Sequence, residues 1–222
     1  MKLLSDCRLY GILDLGYVAP DRLKSTAEQL VTGHIDMLQL RAKDYSARDI
    51  AKFADEILPV TKGAGVPLIV NDYPELLREI AADGCHVGQD DASVAEARDL
   101  AGRPCWVGKS THSIDQAAAA YVEGADYIGF GPLFATGTKP GAAPIGTAEI
   151  RMVLSQVTIP VFCIGGVKRA NLSQVIAAGA NRVCVVSELL LAEDIAAVTA
   201  SIREAIRAGS ADSGWERESS DQ

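Results

Sequence analysis

Residues 37–71 read MLQLRAKDYSARDIAKFADEILPVTKGAGVPLIVN, and this stretch contains the repeating unit of the chain. It begins with a short, mostly apolar run at 37–41 and ends with another at 68–71, as buried strands do. Between the two runs, apolar residues recur at helical spacing over 46–61, and Gly63 follows them as a helix-ending glycine does. The stretch therefore predicts a strand, a helix and a second strand.

The same alternation extends along most of the chain. Strands are predicted at eight places, 9–14, 37–41, 68–71, 85–89, 105–110, 127–131, 161–165 and 183–187. Helical segments such as 114–123 and 172–178 separate them, and glycines follow those segments at positions 33, 63, 84, 102, 124 and 179. The strand ends recur about every 25 residues, which is the period of a (β/α)8 barrel of roughly 200 to 250 residues.

The sequence therefore predicts an α/β fold, a single (β/α)8 TIM barrel over residues 1–208. The alternative is a doubly wound open sheet, which carries a glycine-rich turn after its first strand. The turn here reads Asp14-Leu15-Gly16-Tyr17 and has no such fingerprint. Residues 209–222 are rich in Ser, Asp and Gly and lack periodicity, so we predict a disordered acidic tail.

Composition and charge limit the class of protein. The 222 residues are 48% hydrophobic and 23% charged, which is the balance of a globular protein. A net charge of -8 has the wrong sign for a protein that binds a nucleic-acid backbone. No apolar run reaches the roughly 18 residues of a membrane span. Asp6 interrupts the N-terminus before a secretory signal could form, and the five widely spaced cysteines include no CxxC pair. We therefore expect a cytoplasmic protein without nucleic-acid or membrane partners.

Polar residues follow several of the predicted strands. Active sites of barrels lie at the C-terminal ends of the strands, so these residues are expected to meet in one place. Alternation along the second strand puts Gln39, Arg41 and Lys43 on one side, where an amide and two cations can face one ligand. The third strand contributes Asn71 and the fifth Ser110, whose hydroxyl could bond a phosphate oxygen.

Two carboxylates at neighbouring strand ends predict a metal site. Asp72 follows the third strand and Asp91 the fourth, and Mg²⁺ prefers one or two carboxylates together with substrate phosphate oxygens. Asp90 is a weaker candidate, because adjacent residues point apart. For Asp90 and Asp91, the alternative is that one of them is the N-cap of the following helix.

A phosphate site is predicted at the last two strands. Gly165 and Gly166 follow the seventh strand and Ser187 the eighth, which is the recurring phosphate position in such barrels. The long loop at 131–141 adds two hydroxyls and Lys139, as a ligand loop would. Position alone does not make His112 a base. No nucleophile is recognisably paired with a base, so the pattern favours a reaction that loses a metal-bound pyrophosphate.

Seven motifs in this order resemble the thiamine-phosphate synthase family, from about residue 9 to residue 206. They are Gln39-Leu40-Arg41-Ala42-Lys43, Asn71-Asp72, His86-Val87-Gly88-Gln89-Asp90-Asp91, Gly108-Lys109-Ser110-Thr111-His112, Gly131-Pro132 with Thr136-Gly137-Thr138-Lys139, Ile164-Gly165-Gly166 and Val186-Ser187. The resemblance implies a transferase that joins 4-amino-2-methyl-5-(diphosphooxymethyl)pyrimidine to a thiazole phosphate (carboxy- or hydroxyethyl-thiazole phosphate), giving thiamine phosphate and pyrophosphate. It also implies a dissociative mechanism, in which the aminopyrimidine stabilises a methylene cation that the thiazole nitrogen traps.

The resemblance also assigns roles to the matched residues. It implies that the pyrimidine diphosphate is held by Gln39, Arg41, Lys43, Asn71, Ser110 and Lys139, with Arg41, Lys43, Ser110 and Lys139 as the catalytic set. It implies that Asp72 and Asp91 hold Mg²⁺. It implies that the thiazole phosphate is held by Thr136, Thr138, Gly166, Val186 and Ser187. The matched motifs further place Leu40, Ala42 and Gly137 among the substrate-binding residues.

One residue departs from the family pattern, and other functions remain to be weighed. Lys109 stands where members often carry a small or apolar residue, and it would alter the pyrophosphate pocket if it pointed into the barrel. One alternative function is that of a thiazole tautomerase, an isomerase that shares the barrel but lacks much of the metal and pyrophosphate set. Another is a non-catalytic protein that binds a thiazole or thiamine phosphate. The expected partners are small phosphorylated molecules, and the sequence is compatible with a homo-oligomer.

Overall fold

A computed structural model describes residues 2–138, 141 and 143–212. Eight parallel strands pair in chain order and the last pairs with the first, which closes the barrel. The strands are β1 Leu9–Asp14, β2 Met37–Arg41, β3 Leu68–Asn71, β4 Gly84–Val87, β5 Trp106–Thr111, β6 Tyr127–Phe130, β7 Val161–Cys163 and β8 Val183–Val185. The helices are α1 Leu23–Thr32, α2 Ala47–Gly63, α3 Val94–Ala101, α4 Ile114–Val122, α5 Ile150–Gln156, α6 Arg169–Ala177, α7 Ser187–Leu190 and α8 Ile195–Asp212. The predicted (β/α)8 barrel is confirmed.

Strands β7 and β8 end earlier than predicted, because the backbone turns away before the polar residues that follow them. Gly165 has a φ of +93°, so the chain leaves the sheet after Cys163 rather than at residue 165. Val186 has a ψ of -88°, and Ser187 then begins α7. The first three strands have the predicted bounds.

The prediction that Gly84 ends a helix is wrong. Between β3 and β4 the described chain forms only a short 3-10 helix, Pro74–Arg78, because Pro74 begins it and few residues separate the two strands. Gly84 is the first residue of β4. A Cβ there would lie 2.3 Å from the backbone oxygen of Trp106, so the close approach of β5 requires the glycine.

The C-terminal helix is longer than predicted. Helix α8 continues to Asp212, so residues 209–212 of the predicted tail are helical. A Cβ at Gly209 would lie 2.5 Å from Ile176 Cγ2, so a small residue lets α8 lie close to α6. The rest of the predicted tail, 213–222, lies outside the described residues. In the part of the chain that the structure describes, no helix has the length and apolar character needed to cross a membrane.

Three aromatic rings fill the interior of the barrel. Tyr10, Tyr127 and Phe162 are almost completely buried and contact one another edge to face, with ring centroids 5.3 to 5.8 Å apart. Gly108 on β5 makes room for them, because a Cβ there would lie 2.1 Å from Cζ of Tyr127. The rings fill the interior, so a ligand can enter the barrel only from the side of the C-terminal strand ends.

A buried carboxylate joins the other end of the barrel to its outer layer. Asp36 precedes β2, is 1% exposed, and accepts hydrogen bonds from the backbone N–H groups of Arg8 and Leu9, both at 2.9 Å. It also pairs with Lys2, and with Arg203 of α8 at 3.2 Å. Burial alone would raise the pKa of Asp36, but Lys2 and the two backbone donors outweigh it and lower the pKa below its ordinary value.

We expect Asp36→Asn to lower the free energy of unfolding at pH 7 by about 2 kcal/mol, because hydrogen bonds to the buried charge are lost. A folded pKa below the unfolded value stabilises the fold above that unfolded value, and this stabilisation disappears as pH falls through the folded pKa. Urea unfolding at pH 7 and pH 3 measures the difference, which should shrink at the lower pH. Asp49→Asn, on the exposed face of α2, is the control and should change stability less. An equal loss at both pH values would contradict the assignment.

Candidate active site

A cavity of about 330 Å³ opens at the C-terminal ends of the strands. It brings together twelve of the predicted site residues, Gln39, Arg41, Lys43, Asn71, Asp72, Asp91, Ser110, Thr136, Thr138, Gly166, Val186 and Ser187. Leu40 and Ala42 lie on the other side of β2 and are buried in the hydrophobic core, as alternation requires. Gly137 is exposed on the loop after β6, and Lys139 lies outside the described residues.

The guanidinium of Arg41 is held by an acidic residue that the sequence analysis missed. Asp14 ends β1 directly opposite Arg41 in the register of the two strands. Its carboxylate accepts a hydrogen bond from Arg41 Nη1 at 2.6 Å and another from the backbone N–H of Gly16 at 2.9 Å. The side chain of Asp14 is 3% exposed and that of Arg41 is 19% exposed. Arg41 therefore reaches the cavity mouth with its orientation fixed. The strict pairing of strand ends in a barrel could have indicated this partner.

The two predicted metal ligands lie beside each other. Burial and the neighbouring Asp91 carboxylate raise the pKa of Asp72, and Lys43 Nζ, 3.3 Å from Asp72 Oδ2, opposes them only in part. Asp72 has a φ of +63°, a left-handed conformation that Asp and Asn adopt more readily than most residues. Two carboxylates held together against their repulsion are a common arrangement at functional sites.

Asp91 does not cap the helix that follows it. The N-cap of α3 is Ser93, which forms a capping box with Glu96. The carboxylate of Asp91 instead accepts a hydrogen bond from the backbone N–H of Gly88 at 2.7 Å. Asp91 is therefore not the N-cap of the following helix, which was the alternative to a role in metal binding.

The carboxylates of Asp72 and Asp91 suit a hard cation that takes only one or two ligands from the protein. Within the described residues there is no group of three or more His, Cys, Asp or Glu that could enclose a metal ion. A pair of carboxylate side chains open to a cavity is what Mg²⁺ uses when substrate phosphates complete its shell. Asp72 and Asp91 therefore fit Mg²⁺ in the presence of a phosphorylated ligand.

Five polar groups form a continuous hydrogen-bonded series through the interior, which we call the interior relay. Gln39 Nε2 lies 2.5 Å from the Tyr10 hydroxyl, which is 3.1 Å from the Tyr127 hydroxyl. The Tyr127 hydroxyl is 3.2 Å from His86 Nδ1, and His86 Nε2 is 2.9 Å from Ser110 Oγ. Tyr10, Tyr127 and His86 were not predicted as site residues, although His86 begins one of the seven motifs. Alternation along the fourth strand, which sets His86 on the side of Gly88, was the available signal for the histidine.

The contact between Ser110 and His86 differs from the expectation that no nucleophile lies beside a base. Burial lowers the pKa of His86 to about 4, so the ring is neutral at pH 7 and binds a proton weakly. A general base is effective when its pKa lies near the working pH. The pair is therefore suited to hydrogen bonding rather than to activating Ser110 as a nucleophile.

The structure shows which way the side chains of Lys109 and His112 point. Lys109 faces away from the cavity, is 7% exposed, and donates a hydrogen bond to the backbone oxygen of Ala92 at 3.1 Å. It therefore leaves the pocket unaltered. His112 lies in the cavity wall, and its Nδ1 is hydrogen-bonded to the backbone oxygen of Gly131.

The ends of β7 and β8 form a concave wall of small residues. Gly165 and Gly166 have φ values of +93° and +64°, and a Cβ on Gly166 would lie 2.6 Å from the backbone oxygen of Ala135. Asn171 Nδ2 donates to the backbone oxygen of Gly166 at 2.9 Å and holds this turn in place. Thr138 contacts the Tyr17 hydroxyl at 3.1 Å on the facing loop. The wall exposes backbone to the cavity at the position where barrels bind phosphate.

Comparison with known proteins gives concordant matches. The family model described as thiamine monophosphate synthase matches residues 9–189. The thiamine-phosphate synthase of Halalkalibacterium halodurans is 41% identical over 194 residues, which are 86% of this chain and 92% of that protein. That of Chloroflexus aurantiacus is 42% identical over 199 residues, 89% of this chain and 92% of that protein. The structure of thiamine phosphate pyrophosphorylase from Pyrococcus furiosus superposes with a TM-score of 0.84 at 26% identity, covering 94% of this chain and 99% of that one.

We expect Asp72→Asn to raise the melting temperature at pH 7, without added metal, by roughly 1 to 3 °C. An acid whose folded pKa is raised destabilises the fold at pH values above that pKa, and the penalty is absent below its unfolded pKa. Asn suits the left-handed backbone, and loss of the partly exposed Lys43 pair costs little. Thermal unfolding at pH 7 and pH 3 is the measurement, with Asp90→Asn as the control. A lower melting temperature at pH 7 would show that the two carboxylates do not repel each other there.

Proposed function

Because the chain belongs to the thiamine monophosphate synthase family, we propose that its cavity joins an aminopyrimidine diphosphate to a thiazole phosphate with the help of Mg²⁺. The protein is a transferase of thiamine biosynthesis that makes thiamine phosphate. Its substrates are small phosphorylated molecules. The observation that carries the metal-dependent reaction is the meeting of two carboxylates and two cations at one cavity mouth. The tautomerase alternative is not favoured, because the relatives from Halalkalibacterium halodurans and Chloroflexus aurantiacus are named thiamine-phosphate synthases.

The diphosphate is proposed to bind at the ends of β2, β3 and β5. Arg41 and Lys43 supply two cations there, and the Asp14 carboxylate fixes the Arg41 guanidinium before a ligand arrives. Ser110 and Asn71 add polar groups from the next strands. Lys139, from the loop after β6, is the further cation that the sequence predicts for this group.

Mg²⁺ is proposed to bind Asp72 and Asp91, whose carboxylates meet at the same mouth. When bound, it would neutralise charge on the diphosphate and so make pyrophosphate a better leaving group. Lys43 already pairs with Asp72 at 3.3 Å, so one cation of the chain is positioned between the metal ligands and the diphosphate site.

The thiazole phosphate is proposed to bind the wall formed by the ends of β7 and β8. Gly166 leaves its backbone open to the cavity, and Ser187 at the start of α7 adds a hydroxyl. Thr136 and Thr138 face them from the loop after β6, and Val186 completes the wall. The two phosphorylated ligands would thus occupy opposite sides of one cavity.

The reaction requires positioning and stabilisation of the leaving group rather than a general base. The C–O bond of the pyrimidine diphosphate breaks and its electron pair leaves with pyrophosphate. The aminopyrimidine then stabilises the methylene cation until the thiazole nitrogen forms the new C–N bond. Arg41, Lys43 and Ser110 would hold the departing oxygens, and the low pKa of His86 accords with a site that moves no proton there. The buried rings of Tyr10, Tyr127 and Phe162 fill the barrel beneath the cavity.

We also propose that the enzyme acts in the cytoplasm. All five cysteines are free thiols, and four of them are buried, which suits a reducing compartment.

We expect Asp91→Asn to lower kcat by about 100-fold or more and to raise the Mg²⁺ concentration needed for half-maximal rate, because one metal ligand loses its charge. The amide keeps an oxygen that can accept from the Gly88 N–H and no longer repels Asp72, so the melting temperature should not fall. Product formation from both substrates across a Mg²⁺ titration is the measurement, and Asp90→Asn is the matched control. Full activity in excess chelator would refute metal dependence, and turnover of the thiazole phosphate alone would favour the tautomerase.

We expect Gly166→Ala to raise the KM for thiazole phosphate about tenfold or more, because the new Cβ disturbs the wall that would bind its phosphate. The KM for the pyrimidine diphosphate should change much less. Gly124→Ala is the control: its φ of +83° is equally left-handed, but among the described residues no atom lies within 4 Å of the added Cβ. Equal changes in both KM values would remove this wall from the phosphate site.

A further inference from the structure

The interior relay has two ends on the cavity, and of its three middle groups only His86 also lines the cavity. Gln39 and Ser110 line the cavity, on β2 and β5 respectively. Tyr10 and Tyr127 connect them through the barrel interior and are 2% and 0% exposed. The relay therefore joins two candidate binding residues by a path that runs through the barrel interior at Tyr10 and Tyr127 and borders the cavity at His86.

Each middle group of the relay has a single proton to donate. Burial raises the pKa of both tyrosines well above the ordinary value, so each hydroxyl keeps its one hydrogen. A neutral imidazole such as that of His86 carries one N–H and one acceptor nitrogen. Each group lies between two partners of the relay, so it donates to one and accepts from the other.

Because each middle group has one proton to donate, only two arrangements give every neighbouring pair of the relay a hydrogen bond. In the first, the Gln39 amide N–H donates to Tyr10, each middle group donates onward, and His86 Nε2–H donates to Ser110. The Gln39 Oε1, the second hydrogen of the Gln39 amide nitrogen and the Ser110 hydroxyl hydrogen are then left without a partner in the relay. In the second, every bond is reversed, and the cavity meets the Gln39 amide N–H and an accepting Ser110 oxygen. Any mixed arrangement leaves a buried polar group without a hydrogen bond, which is destabilising because its lost hydration is not replaced.

We propose that Tyr10, Tyr127 and His86 are positioning residues that couple the hydrogen-bonding directions of Gln39 and Ser110. When Ser110 donates to an anion in the cavity, the relay makes Gln39 an acceptor at the other end. The coupling deepens the proposed function and rests on it for the identity of the ligand.

The coupling provides a means of selecting the substrate. Phosphate oxygens only accept hydrogen bonds, so a diphosphate at Ser110 selects the first arrangement. Gln39 then presents Oε1, which pairs with an amino group and repels a ring carbonyl. A pyrimidine diphosphate with a 4-amino group is therefore accepted, and its 4-oxo counterpart is disfavoured, although the diphosphate is the same in both.

A thermodynamic cycle measures the coupling directly. Dissociation constants of the aminopyrimidine diphosphate are measured by calorimetry with Mg²⁺ and without thiazole phosphate, for Gln39→Leu, Ser110→Ala and the double variant. In the wild-type background we expect the effects of Gln39→Leu and Ser110→Ala on the dissociation constant to be non-additive by about tenfold. In a Tyr127→Phe background, which keeps the ring but breaks the relay, they should become additive. The preference for the 4-amino over the 4-oxo ligand should fall about tenfold in the same background, the equivalent of one hydrogen bond.

Tyr121→Phe is the matched control. Tyr121 is 39% exposed, and its hydroxyl accepts a hydrogen bond from Thr158 rather than from a group of the relay. This background should retain the full coupling. Additive effects in the wild type, or equal coupling in the wild-type and Tyr127→Phe backgrounds, would overturn the proposal. Should Tyr127→Phe fail to fold, as judged by circular dichroism, Tyr10→Phe breaks the relay one bond earlier.

Nitrogen-15 NMR of His86 tests the relay without any turnover. The probe is inorganic pyrophosphate with Mg²⁺, and His86→Gln assigns the resonances among the three histidines. We expect the proton on Nε2 when pyrophosphate is bound, as in the first arrangement, and a proton on Nδ1 in that complex would overturn the proposal. Failure of the aminopyrimidine diphosphate to bind would refute the proposed function, whereas binding without coupling would refute only the relay.

Discussion

The contact between the hydroxyls of Tyr10 and Tyr127, 3.1 Å apart inside the barrel, connects the packing of the fold to its chemistry. The two rings and that of Phe162 pack edge to face and fill the narrow space that eight closed strands enclose. The hydroxyl groups of Tyr10 and Tyr127 are buried there, so they must form hydrogen bonds with each other and with neighbouring polar groups. Gln39 and His86 meet this requirement, and the polar floor of the cavity follows from the packing beneath it.

The fold could be predicted from the sequence wherever local pattern and tertiary structure agree. The runs at 9–14, 37–41 and 68–71 have strand bounds identical to those observed, because each begins after a polar or turn residue and ends in a polar one. Gly84 was misread, since a glycine required by the close approach of a neighbouring strand looks the same in sequence as one that ends a helix. The extent of α8 was misjudged because Ser, Asp and Gly do not exclude a helix that has a neighbour to pack against.

The candidate site was predictable to the extent that alternation reveals which side of a strand faces inward. This rule placed Gln39, Arg41 and Lys43 at the cavity. It did not reveal Asp14, whose role depends on the register between two strands rather than on its own segment. The interior relay was missed for a different reason: a tyrosine in an apolar strand reads as a hydrophobic residue, and only the structure shows what its hydroxyl touches.

The left-handed backbone at Asp72 restricts how this position can change during evolution or in a mutant library. Most side chains would incur about 1 to 2 kcal/mol of backbone strain there, so Glu is no substitute even though it carries the same charge. Asn and Gly fit the backbone but supply no carboxylate. A selection for folding alone would therefore return three residues at position 72, and a selection for metal binding would return only one.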